Sequence, residues 1–95
     1  MTSFERLQRW FLSQCNGDWE HGLGISISTL DNPGWQIRID LEGSTLEDTE
    51  FPRTADVKSG TEWLHASREG NLVKISCNPE QLERALAIFC DWAGM

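Results

Sequence analysis

The stretch ISISTLDNPGWQIRIDL, residues 25–41, decides the fold. Ile25 and Ile27 alternate with Ser26 and Ser28, and Trp35, Ile37, Ile39 and Leu41 alternate with Gln36, Arg38, Asp40 and Glu42. A period of two places apolar side chains on one face of a pleated strand and polar ones on the other, which predicts a β-hairpin with one wet face. Between the two runs, Asp31-Asn32-Pro33-Gly34 has the chemistry of a tight turn, Pro33 pre-setting its own φ and Gly34 expected to supply a positive one.

The flanking segments supply the other elements. Upstream, Thr2 followed by Glu5 reads as a capping box, and Phe4, Leu7 and Phe11 recur at helical spacing with Trp10 beside them, so a helix is expected over residues 3–15 with Asn16-Gly17 as its stop. Downstream, residues 62–68 and 72–77, separated by Glu69-Gly70-Asn71, read as a second hairpin. Asn78 as N-cap, Pro79 at the first helical position and Gln81 at the third then predict a closing helix, with Leu82, Ala85, Leu86, Phe89 and Ala93 as its apolar stripe and Gly94 as its end. Residues 43–60 are polar, and only Leu46, Phe51 and Val57 offer anchors for a short edge strand or an ordered loop. The expected fold is a two-layer α+β sandwich, in which an N-terminal and a C-terminal helix cover one face of an antiparallel sheet of four to five strands.

The 95 residues suit one domain. Fifteen Asp and Glu against eight Lys and Arg give a formal net charge of -7, which repels phosphate backbones and anionic lipids and favours a basic protein partner. Nucleic acid and membrane are therefore not expected as partners. No apolar run approaches the roughly 18 residues of a membrane span, and residues 1–9 lack a signal-peptide pattern, so a cytoplasmic setting is expected. Cys15, Cys77 and Cys90 are an odd, widely spaced set with no Cys-x-x-Cys pair, and read as free thiols.

Two constellations carry chemical interest. The segment Cys15-Asn16-Gly17-Asp18-Trp19-Glu20-His21 gathers a thiol, two carboxylates and an imidazole within seven residues. A nucleophilic Cys15 needs a base and an oxyanion site, yet His21 lies across a helix end and a turn, and the last turn of a helix disfavours a thiolate. A metal held by Asp18, Glu20 and His21 needs a fourth ligand, and His65 is the other imidazole. The plainer reading has Asp18 and Glu20 bracing the turn while Trp19 covers the core edge. No catalytic residue, metal site or cofactor is assigned, and a Cys/His enzyme or metal-binding domain built on this segment is the alternative function.

The second constellation is acidic. Asp40, Glu42, Glu47, Asp48 and Glu50 fall within eleven residues that contain no Lys or Arg. They read either as a solvated, aggregation-blocking edge or as an anionic docking surface. Trp35, Trp63 and Trp92 are expected at the core or its edge, and Trp10 and Trp19 are the aromatic candidates for partner contact.

The run from Gln14 through Cys15, Asn16, Gly17, Asp18, Trp19 and Glu20 to His21, with Gly24-Ile25, Thr29-Leu30-Asp31-Asn32-Pro33-Gly34-Trp35, Ile39-Asp40-Leu41 and the closing Phe89-Cys90-Asp91-Trp92-Ala93, resembles the immunity protein 53 family of bacterial polymorphic toxin systems. That resemblance implies a cytoplasmic antitoxin, encoded beside a toxin gene, that binds and neutralises its cognate toxin. It also marks Cys15, Asn16, Gly17, Asp18, Trp19, Glu20, Asp31, Asn32, Pro33, Gly34 and Trp35 as motif positions. With the charge balance, the expected partner is a basic toxin, for which a nuclease is one fit, and the candidate contacts are Asp18, Trp19, Glu20, Asp40, Glu42, Glu47, Asp48 and Glu50.

Overall fold

The computed structural model describes residues 1–94. Helix α1 spans Ser3–Gln14, a four-residue helix α2 spans Trp19–Gly22, strands β1 to β5 span Ile25–Leu30, Gly34–Asp40, Thr54–Val57, Trp63–Glu69 and Leu72–Cys77, and helix α3 spans Leu82–Trp92. The strands form one open antiparallel sheet in the order β1-β2-β5-β4-β3. This is the expected α+β architecture, with β3 as the short edge strand.

Register explains the core. Cross-strand pairing lines up Ile27, Ile37, Ile75, Ala66 and Thr54 in one row, with Ile25, Ile39, Val73 and Arg68 on one side of it and Thr29, Trp35, Cys77, Leu64 and Asp56 on the other. All of these point to one face, because side chains alternate along each strand. Ile37, Ile39, Val73, Ile75, Cys77 and Leu64 are fully buried there beneath Leu7 and Trp10 of α1 and Ala85, Leu86 and Phe89 of α3. The opposite face carries Ser26, Ser28, Arg38 and His65 and is open to solvent.

Helix α1 begins with the expected capping box. Thr2 Oγ1 accepts from the Glu5 N–H at 3.1 Å, and the Glu5 carboxylate accepts from the Thr2 N–H at 3.4 Å. Its buried face differs from the apolar pattern, however. Ser3, Leu7, Trp10 and Gln14 turn inward, while Phe4 is 49% and Leu12 72% exposed. Two polar residues occupy the inner stripe because each has a distant partner: the Ser3 N–H donates to Glu83 Oε1 at 3.1 Å, and Gln14 bonds Thr45. The expected anchor Val57 is also exposed, since its side chain points to the open face of β3.

Two turn assignments are corrected. The Asn32–Pro33 peptide is cis, and Gly34 does not adopt a positive φ. Glycine is required at position 34 for close approach instead, because a Cβ there would lie 2.5 Å from the Cys77 carbonyl oxygen and 3.1 Å from the Trp63 ring. The closing helix starts at Leu82 with Gln81 as its N-cap, not at Asn78 and Pro79. Asn78 is occupied as a continuation of β5: its N–H donates to the Trp63 carbonyl and its Oδ1 accepts from the Trp63 N–H, each at 3.0 Å. Gln81 Nε2 also donates to Asn78 Oδ1, and Trp35 Nε1 donates to the Pro79 carbonyl at 3.0 Å, which locks the turn to β2.

Replacing Asn78 by Ala strands the partly buried Trp63 N–H, and a stability loss of about 1–3 kcal/mol is expected in urea unfolding. Gly34→Ala is expected to cost a similar amount, about 1–3 kcal/mol, by overpacking against the rigid Cys77 backbone.

Candidate functional site

The motif segment after α1 is a hydrogen-bonded knot. Asn16 Oδ1 accepts from the N–H groups of Asp18 and Trp19 at 2.9 and 3.0 Å, and the Glu20 carboxylate reaches back to the N–H groups of Asn16 and Gly17 at 2.9 and 2.8 Å. Gly17 sits at φ +94°, a conformation that side chains rarely adopt. Backbone N–H groups, its own first and then those of Asn16 and Gly17, hold the Glu20 carboxyl below its ordinary range. The structure thus gives Asn16, Gly17 and Glu20 a local structural task, while Asp18 makes no side-chain cap.

The aromatic pair expected to face a partner lies in the core. Trp10 and Trp19 are each 4% exposed, and their rings meet edge to face at 5.9 Å, with Phe89 5.0 Å from Trp10. Trp19 also packs beneath Gly43, whose φ of +73° turns the chain into the acidic loop. The exposed aromatic surface comes instead from Phe4 and Phe11 on the outer side of α1.

Cys15 is half-buried, and its Sγ donates to the Phe11 carbonyl at 3.3 Å. Partial desolvation, followed by the nearby Glu20 charge, pushes its thiol up, away from the reactive thiolate. Burial does the same to Cys77 and Cys90. Among the described residues, no three His, Cys, Asp or Glu side chains gather to hold a metal ion. No helix among them is long and apolar enough to cross a membrane.

The acidic segment is an ordered loop at one end of the sheet. Leu41, Leu46 and Phe51 pack into or against the core, and bonds from Ser44, Glu47 and Thr49 N–H groups to the carbonyls of Leu41, Ser44 and Leu46 form successive turns. Gln14 of α1 clamps Thr45 through both its amide oxygen and nitrogen, at 3.0 and 3.2 Å, and Trp92 Nε1 of α3 donates to the Glu50 carbonyl at 2.8 Å. The tightest clamp is Arg68. Its guanidinium donates to the carbonyls of Thr49 at 2.6 Å, Leu46 at 3.5 Å and Gly70 at 2.7 Å, to the Glu47 carbonyl, and to Asn71 Oδ1 at 3.0 Å.

This arrangement sorts the five acids. Asp40 is a brace, its carboxylate accepting from the Gly24 N–H at 2.9 Å. Glu42, Glu47, Asp48 and Glu50 make no ion pair among the described residues, and the guanidinium of Arg68 beside the loop is engaged by backbone oxygens. Glu47, Asp48 and Glu50 border an open depression of about 420 Å³ floored by Phe51, Arg68 and Gly70. Sequence reasoning missed Arg68. The available signal was its phase: Leu64, Ala66 and Arg68 share the inward side of β4, and a cation in a core-facing register must find acceptors.

Fold and site together define a small α+β domain with an acidic loop at one end of its sheet, braced by side-chain bonds from α1, β4 and α3. The model of the immunity protein 53 family matches residues 4–94, nearly the whole chain, and the chain belongs to that family. It is thus an immunity protein, a class whose members bind a cognate toxin. No curated protein and no solved structure matches it.

Because the Glu20 pKa is lowered in the folded state, its contribution is present above the ordinary carboxylate pKa and disappears as pH falls through the lowered value. Glu20→Ala is therefore expected to lower the thermal midpoint at pH 7, and the gap from wild type should close on acidification. A gap that persists at acid pH would show that the Glu20 carboxylate charge plays no part.

Proposed function

We propose that this immunity protein neutralises a basic toxin in the cytoplasm by seating the loop of residues 42–50 in a cationic cleft. The observation that carries this reading is the division of labour in the loop. Arg68 fixes the backbone through carbonyl oxygens, and the carboxylates of Glu42, Glu47, Asp48 and Glu50 have no ion-pair partner among the described residues. A set of like charges held at one end of the molecule destabilises the free protein and is relieved by a cationic partner. Order in the loop lowers the entropy lost on docking.

A toxin that acts on nucleic acid has such a cleft, since it must hold phosphates, and carboxylates can occupy the same positions. Blockade of the toxin's site then needs no chemistry from the immunity protein. The raised thiol pKa of Cys15 and its bond to Phe11 support this reading over thiol catalysis. Asp18 stays a candidate contact, whereas Glu20 and Asp40 are committed to backbone N–H groups and contribute charge at most.

The test is the triple variant Glu42→Lys, Asp48→Lys, Glu50→Lys, which avoids the braced Asp40. Stopped-flow mixing with the cognate toxin should show association slowed by about tenfold or more, with a flattened salt dependence and a thermal stability of the free protein no lower than that of wild type. Association as fast as wild type would remove the loop from the interface.

A further inference from the structure

The two edges of the sheet are built differently. Edge strand β3 has four residues, carries Asp56, and is tied to α3 by the Arg84–Asp56 ion pair at 2.6 Å. Edge strand β1 has six residues, and no charge or proline occurs from Leu23 to Leu30. Proteins ordinarily protect an exposed edge with charge, proline, a bulge or brevity, and β1 has none of these.

Its backbone pattern is readable. Gly24 faces Asp40, and the Gly24 carbonyl accepts from the Asp40 N–H at 3.0 Å. Antiparallel pairs alternate between bonded and non-bonded, so Ser26, Ser28 and Leu30 bond β2, while Ile25, Ile27 and Thr29 aim their N–H and C=O groups outward. The side chains of those three residues lie on the helix-covered face. Ile27 is 37% exposed there, and Ile25 shares an apolar groove with Phe4, Leu7 and Phe11.

We infer that β1 pairs antiparallel with β1 of a second copy about a two-fold axis at Ile27, joining two five-stranded sheets into one. In this register Ile27 bonds Ile27 of the second copy and Ile25 bonds Thr29 of the second copy, so every outward backbone group of the three residues is satisfied. Ser26 then faces Ser28 of the second copy on the open side, a hydroxyl pair that stabilises antiparallel strands. Isologous pairing of this kind needs a self-complementary edge, and no charge lies along the seam to oppose it. Charge also argues against a basic partner at this edge, since a strand without carboxylates offers such a partner no complementarity. The inference is independent of where the toxin docks.

The test is light scattering coupled to size exclusion on the full chain across a wide concentration range. Wild type is expected at twice the mass of one chain at high concentration. Ile27→Lys and Ile27→Glu, each folded by circular dichroism, are expected to be monomeric because each sets like charges face to face at the axis. An equal mixture of the two should regain the dimer, and Val57→Lys at the other sheet edge should keep it. A wild type that stays monomeric, or a mixture that fails to pair, would overturn the proposal. So would a monomeric wild type whose toxin binding is lost with Ile27→Lys, which would give this edge to the toxin.

Discussion

An arginine cannot shed its charge on entering a protein, so a guanidinium on the core-facing side of a strand must be met by acceptors. Arg68 is in that position, closing the row that begins at Ile25 and runs through Ile39 and Val73. It has no carboxylate partner among the described residues, and carbonyl oxygens from residues 46, 47, 49 and 70 take its donors. This choice has two consequences. A polar segment without helix or strand of its own is braced by side-chain bonds, and the acids within that segment form no ion pair with the arginine that braces it.

The same economy appears at the other supports of the loop. Gln14 closes α1 by clamping Thr45, and Trp92 ends α3 by bonding Glu50. The loop is therefore joined to both helices and to the sheet, and Phe51 stacks edge to face on Trp92 at 4.9 Å beneath it. Trp10, Trp19 and Phe89 form a second aromatic cluster under the turn that leads from α1 to β1. A small domain buries a limited share of its surface, and these large rings account for much of what it buries.

The strands were legible because each interior position of β2, β4 and β5 repeats every second residue, and a shift of one residue would have turned the whole set to water. The capping box of α1 was equally plain. The inner face of α1 was not, since Ser3 and Gln14 are inside for the sake of partners 80 and 31 residues away, which local periodicity does not register. For the same reason Asn78 looked like a helix cap, although its side chain completes a strand pairing with Trp63. The acidic loop was visible as composition, but its order depends on side chain to backbone bonds from three separate elements. In the motif segment, the density of chemically active side chains suggested reactivity, while the structure engages Asn16 and Glu20 in a turn and places Trp19 in the core.

The proposed blockade requires that a preformed loop, fixed by Arg68, meet the toxin. Amide hydrogen exchange of the protein, alone and with its cognate toxin, probes both halves of that requirement. The amides of Ser44, Glu47 and Thr49 are expected to be protected already in the free protein, and residues 42–50 to gain the largest further protection on binding. Rapid exchange throughout the loop in the free protein, or protection on binding confined to other elements, would rule out docking by a preformed loop.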